Sequence, residues 1–263
     1  MTRRRSASAL AICSSLLLAC APAAARPTPS APPPAADDVA STTVSSTVSC
    51  MDRGPATIAF SGPQVRRYDE RHTTPADAII DASTATWRSD TSGSPLRVGN
   101  ADGICWHGGT ITGQFSDDMR WSAFHDTYAF VGYGSHMVVE DLRAHNYGDG
   151  IKWLEDKTDH WTVRRVHLSH MHDDCVETDW AKSGRIEDVL FEGCYVFLAS
   201  RPNPHVTGAV GGANDTIVVD GAVVWMEPMK TVYSGVSPST SAIFKVASGR
   251  ARIVCTTPIA STE

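Results

Sequence analysis

Short apolar runs separated by turn residues recur along this chain at a near-constant interval. Set under one another, residues 138–153 (VVEDLRAHNYGDGIKW), 161–177 (WTVRRVHLSHMHDDCVE) and 185–198 (RIEDVLFEGCYVFL) place Leu142, Val166 and Val189 in register, at steps of 24 and 23 residues. Ala144, Leu168 and Phe191 follow two positions later, and Ile151 and Cys175 nine positions on. Alternation with period two predicts strands. Further strands are expected at 78–87, 104–113, 128–134, 251–255 and 217–226, the last offset by an insertion around 201–214. No segment carries a helical period. Two or three short strands per period of about 24 residues stack so that equivalent strands lie side by side, about 4.8 Å apart, and each coil covers the apolar face of the next. With the usual right-handed crossover, the expected fold class is all-β, a right-handed parallel β-helix (solenoid). A β-sandwich also spaces its strands regularly. The in-register return of both the apolar pair and Asp-Gly-Ile/Asp-Asp-Cys favours the solenoid. A solenoid needs its last coil covered, and TTPIASTE is a poor cap. A truncated chain or a partner over that end is the expectation.

The first fifty residues break the pattern. Arg3 to Arg5 precede a short apolar stretch, ASALAICSSLLLA at 7–19, too short to span a bilayer as a helix. Leu17-Leu18-Ala19-Cys20 resembles the lipobox of bacterial lipoproteins, which implies lipidation of Cys20. Ordinary signal cleavage among Ala21 to Ala25 is the other reading. Residues 22–34 hold six of the fifteen prolines, so a packed core is not expected there. The organisation expected is a signal segment at 1–20, a Pro/Ala/Ser/Thr-rich tether at 21–49 and a β-helix domain at 50–263. Either signal reading takes the protein out of the cytoplasm, to the bacterial cell envelope or beyond it, with the lipid anchor as the membrane contact.

Charge narrows the partners. The formal net charge is -6, and with the basic leader set aside 19 basic residues face 29 acidic ones. Nucleic acid and anionic membrane surfaces need clustered Lys and Arg and are excluded as partners. Cationic ligands and metals remain compatible. After Cys20 the cysteines are Cys50, Cys105, Cys175, Cys194 and Cys255. An exported protein can keep disulfides; Cys50 with Cys105, and Cys175 with Cys194, are candidate pairs beside buried free thiols. CxxC and CxxH spacings are absent from the sequence, which argues against a zinc ribbon.

Candidate chemistry concentrates at 136–179, where six of ten histidines and ten of 29 acids fall. In the 24-residue register Asp149 stacks on Asp173, with Asp174 adjoining. His170 and His172 come just before, over Asn146 and Gly148. Glu177 falls on Trp153 and Asp179 on Glu155. Paired carboxylates at solenoid spacing suit glycosidic cleavage, with Asp173 or Asp174 as acid and Asp149 as base. His170 or His172 would position the sugar, Trp153 and Trp180 could stack on its rings, and Glu177 adds a polar group. Oxygen ligands make Ca²⁺ an option, and the two histidines a transition metal. A lyase would need a base, for which Lys152 and Arg201 are candidates. The competing structural role is that Asp side chains bond backbone amides at solenoid corners.

Tyr147-Gly148-Asp149-Gly150-Ile151 and His172-Asp173-Asp174-Cys175-Val176 resemble motifs of the pectin-lyase-like β-helix superfamily. Their order and spacing are similar to those of polygalacturonase-type glycoside hydrolases, which implies catalytic aspartates at Asp149, Asp173 and Asp174. The Asn-Thr, Gly-His-Gly and Arg-Ile-Lys elements of that family are missing; the later coil reads Gly193-Cys194-Tyr195. Residues 78–246 resemble more closely uncharacterised secreted β-helix repeat proteins, through Asn146 to Ile151, Asp173 to Glu177 and Leu190 to Cys194. The resemblance implies the fold. Two functions are expected from it together with the acidic ladder: cleavage of extracellular polysaccharide, or non-catalytic binding of a glycan or partner.

Overall fold

A computed structural model describes residues 48–70, 72–89, 94–99, 101–202, 210–228, 241–247, 251–257 and the strand at 260–262. Cys20 and nearly all of the tether lie outside the described residues, so the lipid anchor and the signal segment do too. The chain forms β1 (Ile58–Gln64), β2 (Tyr68–Glu70), β3 (Ile79–Ser89), β4 (Leu96–Val98), β5 (Cys105–His107) and β6 (Thr110–Gly113). A four-residue helix, α1 (Trp121–Phe124), follows. Then come β7 (Tyr128–Gly132), β8 (Val138–Glu140), β9 (Arg143–Tyr147), β10 (Asp149–Trp153), β11 (Trp161–Arg164), β12 (His167–Thr178), β13 (Gly184–Ser200), β14 (Thr216–Met226), β15 (Ala242–Val246), β16 (Arg252–Cys255) and β17 (Ala260–Thr262).

Every strand pairing is parallel, and the pairings sort into three faces of a parallel β-helix. The first runs from the start of β1 through β3, β5, β8, β11 and the starts of β13 and β14 to β16. The second takes the ends of β1 and β3, then β6, β9, the start of β12, the middle of β13, the end of β14 and β17. The third is β2, β4, β7, β10, the ends of β12 and β13, and β15.

The expected register holds on the second face. Ala144, Leu168, Phe191 and Val224 pair across four successive coils and are all buried. Leu142, Val166 and Val189, two positions earlier on the same face, are buried too. Aromatic rings extend the core column: Trp106 on Phe130 at 5.6 Å, Phe130 on Trp153 at 6.4 Å, and Trp153 on Trp161 at 5.4 Å between centroids. Each large side chain so buried contributes about 1.5–3 kcal/mol.

The corners recur as strictly as the strands. Asp141, Arg165, Asp188 and Gly221 have φ of +57°, +49°, +50° and +71°, and mark the turn from first to second face. Asn146, His170 and Gly193, at +61°, +58° and +80°, mark the next corner. A single left-handed residue reverses the pleat and swings the chain onto the next face, and Asn, Asp and Gly carry that conformation most readily.

Two disulfides staple the stack, Cys50–Cys105 and Cys175–Cys194, with Cα separations of 5.5 and 5.8 Å. Both candidate pairs are therefore formed, and Cys255 is free and exposed. Two disulfides point to an oxidising setting, extracellular or periplasmic.

Candidate functional site

The repeat spacing is stretched at one place beside the acidic segment. Ile111 pairs with Ala144, 33 positions on, whereas Ala144 pairs with Leu168 at the regular 24. The extra residues form the 114–127 insertion, which contains α1 and arcs over the Asn146–His170–Gly193 corner. Its start is pinned there, because Asn146 Nδ2 donates to the carbonyls of Gly113 and Phe115 at 3.2 and 2.9 Å. Phe115 packs edge-on against Phe124 and Tyr147, at 5.3 and 5.4 Å. Phe124 in turn lies 4.0 Å from the His172 ring centroid.

Between insertion and corner lies a small cleft, part of it open to solvent. Asp117, Trp121, His170, His172, Tyr195 and Glu227 supply its polar and aromatic lining. His170 Nε2 is 3.1 Å from Asp117 Oδ1 and its Nδ1 is 3.3 Å from Glu227 Oε2. Gly193 makes room for this contact: a Cβ there would meet Glu227 Oε2 at 2.8 Å. His145 stacks on His170 at 5.8 Å, and burial, then His170, pushes its imidazole pKa down.

The aspartates sit one step further along the chain, and the register expected for them is corrected by one residue. Tyr147 pairs with Met171, but Ile151 pairs with Val176, so β12 holds one extra residue between them. The same bulge displaces β12 against β13 between Met171 and Asp174. Its consequence is that Asp149 lies level with Asp174, not Asp173. Glu177 pairs with Lys152 rather than Trp153, and Thr178 takes the place beside Trp153.

These carboxylates converge, but inside the protein. Asp149, Asp173, Asp174, Glu177 and Asp179 are each 8% exposed or less. Asp149 Oδ1 accepts the Asp174 backbone N–H at 3.0 Å, the corner role that competes with catalysis. Asp174 is held by Lys245 Nζ at 3.0 Å. Lys152 Nζ lies 2.5 Å from Glu177, 3.4 Å from Asp179 and 3.9 Å from Asp149, and 4.9 Å over the Tyr128 ring. Burial, aided by Glu177, raises the Asp149 pKa well above the ordinary carboxylate range. Asp174 rises for the same reason, with Asp173 as the next cause. Burial works upward on Glu177 as well, but Lys152 and a hydrogen bond with Asp149 hold it below its usual value. Of the two, Asp149 holds its proton more tightly and is the donor in the hydrogen bond it shares with Glu177. Asp149, Asp174 and Glu177 offer oxygens within 4.8 Å of one another, the donor type for Ca²⁺. The Lys152 ammonium already supplies positive charge there.

Asp173 links this interior to the cleft. Trp121 Nε1 donates to its Oδ2 at 3.0 Å. Its Oδ1 is buried without a hydrogen-bond partner, 3.8 Å from Lys245 Nζ. Burial raises its pKa, against the pull of Lys245.

The other predicted site residues divide. His170 and His172 line the cleft. Trp153 is fully buried in the core and Trp180 is 8% exposed, which removes the first from any ligand surface and leaves little of the second. Arg201 is exposed and acts through space on Asp179 and Lys245. Sequence reasoning missed Asp117, Trp121, Tyr195, Glu227 and Lys245. The 33-residue step and a tryptophan in a stretch without repeat partners were the available signals for the insertion. A scan of protein-family models and searches of curated proteins and of solved structures find nothing that matches this chain.

Proposed function

We propose that this is an exported protein, anchored through Cys20, that binds extracellular polysaccharide in the cleft between the 114–127 insertion and the Asn146–His170–Gly193 corner. The observation that carries the reading is the lining: an indole, a phenol, two imidazoles and two carboxylates around one concavity. A sugar ring presents an apolar C–H face to an aromatic and a rim of hydroxyls to acceptors, and this lining offers both. Asp117 and Glu227, in an acidic chain, favour a neutral or amino-sugar glycan over a polyuronate. The test is binding of purified protein to a panel of polysaccharides, followed by titration with oligosaccharides. Trp121→Ala is expected to weaken binding about tenfold or more, equivalent to about 1.4 kcal/mol. Failure to bind any glycan, or unchanged binding in that variant, overturns the reading.

Asp173 favours a second reading, glycosidic cleavage on the pattern of the polygalacturonase-like motif, with Asp149 and Asp174 as its further members. A carboxyl whose pKa burial raises, and which is hydrogen-bonded to a cleft residue, has the makings of a general acid. Release of reducing ends that Asp173→Asn abolishes, with the fold intact, supports cleavage. Binding without product supports the first reading.

A further inference from the structure

The two cleft histidines are held in a way that sugar binding does not require. Asn146 spends its Nδ2 hydrogens on the Gly113 and Phe115 carbonyls, which turns its Oδ1 toward His172 Nε2 at 2.9 Å. An amide oxygen only accepts, so His172 Nε2 carries a hydrogen, and Nδ1 is the ring atom left to ligate. His170 is flanked by carboxylates at both nitrogens, Glu227 at 3.3 Å from Nδ1 and Asp117 at 3.1 Å from Nε2. With Nδ1 turned to Glu227, His170 Nε2 and an Asp117 carboxylate oxygen face each other across the cleft, both of them atoms that can ligate a cation.

We propose that Asp117, His170 and His172 form a binding site for a first-row transition dication of the Zn²⁺ class. Their ligand atoms lie within 4.8 Å of one another, and the edge of a tetrahedron around Zn²⁺ is about 3.3 Å, so a small inward rotation closes the set. Two imidazoles and one carboxylate select borderline metals over Ca²⁺ and Mg²⁺, which want oxygen throughout. Glu227 and Asn146 are the outer partners that orient ligating imidazoles by accepting their other N–H. His170 is aimed by its left-handed corner position, and His172 is wedged between Phe124 at 4.0 Å and His170 at 4.6 Å. The remaining coordination positions face the cleft and suit water or a ligand hydroxyl. The site shares the cleft with the glycan reading but does not rest on it.

The test uses tag-free protein carrying its disulfides, with no glycan present. Equilibrium dialysis against Zn²⁺ should give one bound ion per chain, and Co²⁺ should give a visible d–d band that Zn²⁺ bleaches. His170→Ala and His172→Ala should remove both signals. Glu227→Gln should weaken Zn²⁺ about tenfold, as should Asp117→Asn, an exposed position whose change spares the fold. His145→Ala, which loses a stacked ring and a hydrogen bond with Ser169 but no proposed ligand, should still bind one ion. Wild type that binds no more Zn²⁺ than His170→Ala overturns the proposal. Ca²⁺ that displaces Co²⁺ as readily as Zn²⁺ does overturns the metal class. Because glycan is absent, metal binding and glycan binding can each fail alone.

Discussion

Glu140 and Lys152 stand twelve residues apart, each buried and each facing a crowd of opposite charge. Around Glu140 the crowd is cationic or donating. Arg164 Nε lies at 2.7 Å, Arg165 Nη2 at 3.1 Å, Ser49 Oγ at 2.6 Å and the Cys50 N–H at 2.8 Å. Burial pushes this carboxyl up, but Ser49, Arg164 and the Cys50 amide outweigh it and bring its pKa down to about 2. Around Lys152 the crowd is three acids, Glu177, Asp179 and Asp149. Burial lowers the lysine pKa and the three carboxylates more than restore it, so the ammonium stays charged. One cation does not offset three buried acids: burial, then Glu177, pushes Asp149 and Asp179 up, while Lys152 holds Glu177 down. One acid among several donors is held low; several acids around one base split, some low and some high. The first cluster also fixes the chain's entry into the solenoid, since Val48 and Ser49, assigned from sequence to the tether, are already bonded to Arg164 and Glu140.

The largest effects come from removing the hub of either cluster. Lys152→Met leaves Glu177 and Asp179 buried without their counter-charge, and Glu140→Gln does the same to Arg164. Each should cost about 3–5 kcal/mol in denaturant unfolding. Next is Cys175→Ser/Cys194→Ser, which frees a 19-residue separation and should cost about 3 kcal/mol, read in the same way.

Asp149 separates the clusters by pH. Its folded pKa is raised, so its contribution to stability is complete below the unfolded value of 3.8 and is lost as pH rises through the folded value. Glu140 runs the other way: its contribution is complete above 4.5 and is lost as pH falls through about 2. Asp149→Asn mimics the neutral acid, accepting from Asp174 N and donating to Glu177. It should leave stability at neutral pH within about 1 kcal/mol or raise it, and flatten the decline with rising pH. Asp149→Ala should lose about 1–3 kcal/mol. Unfolding measured across pH in the three proteins checks the sign. The smallest effect is Arg165→Ala. Its side chain is 40% exposed although it touches the same Glu140, so about 0–1 kcal/mol is expected.

The fold was legible because the apolar positions obey the repeat. Ala144, Leu168 and Phe191 must all point inward, and nothing else in a coil can substitute for them. The site was legible only in part. His170, Asp173 and Asp174 stand out by composition, but the bulge in β12 shifts everything after Met171 by one place, and periodic spacing cannot announce an extra residue. Trp121 and Asp117 belong to an insertion with no repeat to align, and Glu227 reaches the cleft past Gly193 from just beyond the end of β14. Burial was the other hidden quantity. Asp149 reads as a base beside an acid, whereas it is a buried corner residue that accepts the Asp174 N–H and whose pKa burial pushes up.

Ligand chemistry belongs to the cleft and Asp149 to the architecture. The decisive measurement is glycan binding by wild type, Asp149→Asn and Trp121→Ala, side by side on one polysaccharide panel with folding verified. Asp149→Asn is expected to bind as wild type does and Trp121→Ala to lose about tenfold or more. A folded Asp149→Asn protein that no longer binds, beside a Trp121→Ala protein that does, would contradict that division.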